Sequence, residues 1–252
     1  MDYAPCSFFN HQLTFRKQIF SWWPTIVYCV FCVLLVLIVD CVLYFSENKL
    51  SGKLKLNIST VKIPGFVFEL TPTDFAFGGA GLYISNRIEY KRRRDYEFKI
   101  PSCETCFVEL ISQDKTRNVI VGIIYRHPHN NFDSFFNKLQ TTCEKILKTC
   151  NLIFMGDTNI DVSVDSPVSQ AKTYQDLLMG LDIKNLISRP TRITNKSETI
   201  LDHILTNLSY DSVRSGVVVS DITDHMPVFV FFNLPVKQRF FRPTFYRDAF
   251  FF

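Results

Sequence analysis

A layered α/β domain is the fold class the sequence predicts, and three observations predict it. Short β-branched or aromatic runs alternate with longer segments of helical period. One segment repeats its apolar residues at three- and four-residue steps. The polar turns that follow the apolar runs carry Asp, Asn and His, in the place where layered folds keep their reactive loops.

Residues 81–85, 107–111 and 119–125 read as strands, because their alternating apolar and β-branched side chains suit a pleated, half-buried surface. The period then changes. Phe132, Phe135, Phe136, Leu139, Cys143, Ile146, Leu147 and Cys150 mark one helical face, with Asp133, Lys138, Glu144 and Lys148 off it. Residues 151–155 form a short apolar run expected to be a buried strand that delivers Gly156-Asp157-Thr158-Asn159 at its C-terminal end. A second helix is expected near residues 170–181. Residues 201–207, 216–220 and 226–232 are expected to close the sheets.

With 252 residues the chain has room for one ordinary core and an appendage. A net charge of +4 suits a polyanionic partner without requiring one. The basic residues cluster once, at Lys91-Arg92-Arg93-Arg94, where a solvated loop tip and a phosphate contact compete and the solvated reading leads. Eight cysteines show no disulfide-scaffold spacing, and Cys103-Glu104-Thr105-Cys106 has no second pair to make a zinc site.

The first fifty residues differ in kind. No charge falls between 22 and 39, Asp40 interrupts, and residues 41–45 are apolar again. The length approaches a bilayer span, and Trp22, Trp23 and Tyr44 stand where an aromatic belt would put them, so a single transmembrane helix is expected near 22–45. On that reading residues 1–50 are an anchor segment, 55–235 the domain and 236–252 a tail. Flanking charges (Arg16 and Lys17 before, Lys49, Lys53 and Lys55 after) give no orientation.

The residues with chemistry come in a set order: Tyr125-Arg126, Gly156-Asp157-Thr158-Asn159, Pro190-Thr191-Arg192, Leu201-Asp202-His203 and Thr223-Asp224-His225. Each is weak alone, since an Asp-x-Asn turn is more often a backbone-bonded loop than a site. Together they supply what phosphodiester hydrolysis needs: hard oxygen ligands for a divalent cation, an oriented water and donors for the developing charge. Asp157 is the candidate to activate water and Asn159 to position it. Asp202 is placed to hold His225 in one tautomer. Tyr125 and Thr191 offer hydroxyls, and Arg192 and Arg126 offer cations, to phosphate oxygens. Asp224 is the candidate metal ligand. His127 and His129 read as polar loop residues.

These five motifs, with the run from Ile63-Pro64-Gly65-Phe66 to Gly81-Leu82-Tyr83-Ile84, resemble the endonuclease domain of LINE-type non-LTR retrotransposons, a branch of the DNase I-like endonuclease/exonuclease/phosphatase superfamily. The likeness covers roughly residues 60–235. It implies a four-layered α/β sandwich, a magnesium or manganese ion, no small-molecule cofactor, DNA as partner, and a reverse transcriptase further along the element. The family opens with a strand bearing an Asn and a second bearing a metal-binding Glu. Neither has a match upstream of Ile63, where Asn57 only mimics the first. The expectation is therefore an N-terminally truncated, incomplete sandwich with impaired turnover, a degenerate fragment behind unrelated sequence. Two alternatives stand beside it: a non-catalytic membrane-anchored protein retaining the fold, and a membrane-associated phosphodiesterase of the same superfamily. A genuine anchor implies single-pass membrane localisation; without one, a nuclear or cytoplasmic location follows.

Overall fold

The structure, a computed structural model, describes residues 34–37, 42–45, 63–72, 79–101, 103–113, 117–128, 131–163, 169–220 and 223–232. Residues 31–252 make one compact unit; residues 1–30 make another and lie outside the described residues. In chain order the strands are β1 (Leu34–Leu37), β2 (Val42–Phe45), β3 (Phe66–Thr71), β4 (Ala80–Ser85), β5 (Tyr90–Arg92), β6 (Cys103–Leu110) and β7 (Val119–Arg126). Then follow helix α1 (Phe132–Leu147), β8 (Asn151–Asp157), helix α2 (Ser169–Gly180), β9 (Lys184–Asn185), β10 (Arg192–Ile193), β11 (Glu198–Thr199), β12 (Asp202–Thr206), β13 (Val213–Val217) and β14 (Val228–Phe232).

Two six-stranded sheets result, ordered β13-β14-β1-β2-β4-β3 and β5-β6-β7-β8-β12-β9, with β10 and β11 forming a small hairpin. Parity assigns the faces. Cys106 and Val108 of β6, Val121 and Ile123 of β7, and Ile153 and Met155 of β8 share one apolar core with Leu82 and Ile84 of β4 and Val228 and Val230 of β14. That core lies between the sheets. The alternate residues, Phe107, Ile120, Ile124 and Phe154, join Phe135, Leu139, Cys143 and Ile146 of α1 and Tyr174 and Leu178 of α2 in a second core on the outer face. Each fully buried aromatic or aliphatic side chain here contributes roughly 1.5–3 kcal/mol from burial.

Helix α1 buries the predicted face, and Asn131 caps it by accepting a 3.2 Å bond from the Ser134 amide. Helix α2 and the strands at 202–206 and 228–232 lie where the periodicity puts them, whereas β13 (Val213–Val217) starts and ends three residues before the expected 216–220. The Val218 amide still donates to Pro227 O, after which the chain leaves the sheet.

One expectation needs correction. The apolar stretch expected to be one transmembrane helix contains two strands, with Leu34–Leu37 antiparallel to Val42–Phe45, and β1 beside β14 and β2 beside β4. A β-branched apolar run suits a buried strand as well as a membrane span, and period alone does not separate the two. Among the described residues no helix is long and apolar enough to cross a membrane. The two strands of this segment thus belong to the sheet that holds β3, β4, β13 and β14. The rest of the expected span (22–33 and 38–41), Asn57, His129 and the tail from 236 to 252 lie outside the described residues.

The basic run is divided. Arg92 is paired with Glu97 and Glu69, and Arg93 with Asp95 and Glu109, which leaves Lys91 and Arg94 exposed. Cys103 and Cys106 point to opposite faces of β6, in different cores, as free thiols. Burial pushes the Cys106 thiol up to about 12, so neither a redox pair nor a metal knuckle forms.

Candidate active site

Register places the site. Glu104 of β6 faces Tyr125 of β7, and Asp157 of β8 faces Asp202 of β12. The parallel pairing of β7 and β8 matches Ile123 with Met155, and one more two-residue step sets Tyr125 beside Asp157. Glu104, Tyr125, Asp157 and Asp202 therefore form a row across four adjacent strands, on the face that looks into the space between the sheets. The row behind it is apolar: Cys106, Ile123, Met155 and Ile204. All four front-row residues are buried, both aspartates completely.

His225 enters from the other sheet, three residues ahead of β14, and its Nδ1 lies 2.9 Å from Asp202 Oδ2. With the carboxylate accepting, Nδ1 carries the hydrogen and Nε2 faces the other way. Donor atoms of Asp157, Asp202 and His225 all lie within 4.8 Å of one another. Asp202 Oδ1 is buried and has no hydrogen-bond partner among the described residues. A buried carboxylate oxygen of this kind is costly unless something cationic meets it. Two hard carboxylates with such an oxygen fit a divalent cation such as magnesium or manganese.

The outer face braces this arrangement. Arg126, one residue out of phase with Tyr125, is 1 % exposed, and the centre of its planar guanidinium lies 4.2 Å from the centroid of the Phe132 ring. Its Nε donates to Thr158 O at 2.6 Å and its Nη2 to Asn159 O at 3.0 Å. Asn159 sits at φ 49°, its amide donates to Asp157 Oδ1 at 2.8 Å and its Nδ2 to Arg126 O at 2.7 Å. Asn tolerates this left-handed backbone better than most residues do. His203, beside Asp202 but on the opposite face, stacks on Tyr174, and its Nδ1 lies 3.1 Å from Thr158 Oγ1. Its Nε2 lies 3.1 Å from Ile200 O, which can only accept, so Nε2 carries the hydrogen. Burial pushes the His203 imidazole down to about 4.

Several expected roles change on this geometry. Arg126, expected at a phosphate, is a buried brace of the 157–159 loop. Thr191, expected to offer its hydroxyl to substrate, is fully buried, and its Oγ1 accepts from the amides of Leu201 and Asp202, each at 3.0 Å. It fixes the start of β12. Asp224, expected as the metal ligand, lies outside the Asp157–Asp202–His225 group and is bound 2.8 Å from Arg192 Nε at the surface. The Arg192 guanidinium holds its carboxyl below the usual range. Arg192 is half-buried beside His225, its bridge partner, so that of the two expected arginines, Arg126 and Arg192, only Arg192 reaches solvent at the edge of the site.

Two residues went unread in the sequence. Glu104 drew notice only as the interior of a C-x-x-C, and His127 as a loop residue, yet His127 Nε2 lies 2.9 Å from Glu104 Oε1 and its ring packs edge-on against Tyr125. Strand alternation was the available signal, since 125 and 127 share a face.

The sequence matches no family model. It matches no curated protein either. Solved structures do match. The endonuclease domain of TRAS1, a telomere-specific non-LTR retrotransposon, is 14% identical and superimposes with a TM-score of 0.54 over 69% of this chain and 81% of that one. A 3'-5' exonuclease from Neisseria meningitidis is 15% identical, with a TM-score of 0.54 over 89% of this chain and 95% of the exonuclease. The human Nocturnin catalytic domain with bound sulfate is 13% identical, at a TM-score of 0.50 over 75% and 78%.

Proposed function

The chain has the DNase I-like fold of the endonuclease/exonuclease/phosphatase superfamily, and on that premise we propose that it is a retrotransposon-derived domain that hydrolyses DNA phosphodiester bonds with the help of a divalent cation. The observation that carries this reading is the meeting of Asp157 and Asp202 at the ends of β8 and β12, with His225 against Asp202. Asp157, fixed by the Asn159 amide, accepts the proton of an attacking water. Asp202 holds His225 with Nε2 outward, and that nitrogen, when protonated, donates to a non-bridging phosphate oxygen. Tyr125 stands next in the row and Arg192 at the rim, both set to meet the phosphate. A divalent cation held by the Asp157 and Asp202 carboxylates would offset the negative charge that builds on the phosphate oxygens.

Nicking of supercoiled plasmid in magnesium or manganese tests the proposal. Cleavage by the wild-type chain, lost in Asp157→Ala and in His225→Ala, is the expected result; cleavage no greater than that of the double variant sinks it. A second reading, a non-catalytic domain that keeps the fold, draws on the donor set: among the described residues it is two carboxylates and one imidazole, without the third carboxylate that the resemblance leads one to expect. The same assay separates the two.

A further inference from the structure

Behind the reactive loop lies a set of polar side chains that no step of the hydrolysis uses. Tyr174 of α2, His203 of β12 and Thr158 are set in the outer core among Phe135, Ala171 and Leu178, and each is at most 2 % exposed. A phenylalanine at 174 would fill the same space with no hydroxyl to satisfy. Burying two hydroxyls and an imidazole is unfavourable unless their donors and acceptors are met.

The partners follow in order. The His203 Nε2 hydrogen goes to Ile200 O at 3.1 Å, so Nδ1 offers one lone pair. Two hydroxyls reach it, Thr158 Oγ1 at 3.1 Å and Tyr174 Oη at 3.2 Å, and one lone pair takes one donor well. Tyr174 is also bonded to the Thr158 side chain. The arrangement that uses both hydroxyl hydrogens is therefore directional: Tyr174 donates to Thr158 Oγ1, and Thr158 donates to His203 Nδ1. The rival acceptor for Thr158, Leu201 O, lies at 3.5 Å, the limit of a hydrogen bond. The Thr158 backbone is held too, its amide donating to Leu201 O at 3.1 Å and its carbonyl accepting from Arg126 Nε.

We infer that Tyr174 is a positioning residue of the site: through Thr158 and His203 its hydroxyl fixes the turn of residues 157–159, and with it the direction in which Asp157 faces the substrate. The inference rests on the hydrolytic reading of the Asp157–Asp202–His225 group. Tyr174 lies on the outer face of the sheet, behind both aspartates, so its effect passes through Thr158. Asn159, with its left-handed backbone and its amide on Asp157 Oδ1, is the next link. Helix α2, which supplies none of the three grouped side chains, is thereby joined to the site.

Amide hydrogen exchange of the whole chain, followed by heteronuclear NMR without cation or DNA, tests the positioning directly. In Tyr174→Phe and in Thr158→Val the Asn159 amide is expected to exchange about three- to ten-fold faster, the range that loss of one hydrogen bond spans, while the amides of β6 and β7 keep their wild-type rates. Thr158→Ser keeps the hydroxyl and is expected to bring the Asn159 rate back towards wild type. In plasmid nicking, Tyr174→Phe and Thr158→Val should lower kcat by a similar factor and leave KM within about two-fold, because the substrate surface is untouched. The double variant should be no less active than the poorer single one, since both changes break one chain of bonds. Unchanged Asn159 exchange in both single variants, at wild-type melting temperature, overturns the proposal. Faster exchange spread evenly over β6 and β7 overturns it as well, because that marks a loss of packing alone. If the wild-type chain does not nick plasmid, the hydrolytic reading fails, and the exchange rates still decide whether Tyr174 holds the turn.

Discussion

His225 Nδ1 lies 2.9 Å from Asp202 Oδ2, and this contact links a loop that leads into one sheet to a strand of the other. Replacing Asp202 by Asn keeps the shape but offers Nδ1 an amide in place of a carboxylate, so the tautomer and orientation of the ring are no longer fixed. Asp202→Asn is expected to lower kcat for plasmid nicking by about a hundred- to ten-thousand-fold, the range general acid–base groups contribute. The melting temperature should hold, because the side chain keeps its shape while one of the two buried negative charges of the cluster is removed. A Tm that collapses together with activity would make Asp202 a structural residue.

Much of this was legible in the sequence, and the part that was not has physical causes. The row of Tyr125, Asp157 and Asp202 follows from apolar runs that end in polar residues. Arg126 does not share the place of Tyr125, because neighbours on a strand face opposite ways and the dipeptide can present only one of its two side chains to the site. Thr191 was misread because its partners, the amides of 201 and 202, come from a hairpin closure that no local pattern encodes. The segment from 34 to 45 was misread because length favoured a membrane helix, while Asp40 already divided it into two strand-sized pieces.

His203 predicts a pH dependence of stability. Its folded-state value near 4 lies below the ordinary 6.5, so between those two limits the unfolded chain binds a proton that the folded chain does not. Stability is therefore fully present above about pH 6.5, falls as the pH drops towards 4 and levels off below it, a loss of about 3 kcal/mol in all. Urea unfolding of wild type and His203→Gln at pH 7 and pH 4.5 checks it. The wild type should lose much more than the variant, and equal losses would assign the acid sensitivity to other groups.

Gly122 of β7 has no room for a side chain: a Cβ there would come within 2.2 Å of the Phe107 ring and 2.8 Å of the Phe154 ring. Those rings pack 5.0 Å apart in the outer core. Gly122→Ala is expected to destabilise by about 1–3 kcal/mol, the usual cost of overpacking. Equilibrium denaturation measures this directly, and Phe107→Leu on the same background should recover part of it by giving the methyl space.

Arg126 ties the reactive loop to the helix side of the sheet, and its removal separates bracing from substrate contact. Arg126→Met keeps the packing against Phe132 but takes the donors from Thr158 O and Asn159 O. Each carbonyl left without its donor costs about 1–3 kcal/mol, partly recovered by water. The 157–159 loop then relaxes, Asp157 loses its fixed relation to Asp202, and nicking should fall well over ten-fold. DNA affinity should change little, since the guanidinium is 1 % exposed and turned from solvent. Measured together, kcat and duplex Kd decide between the roles. A variant that binds DNA normally but cleaves poorly places Arg126 behind the site, while one whose Kd rises as a phosphate contact is lost would return it to the substrate surface.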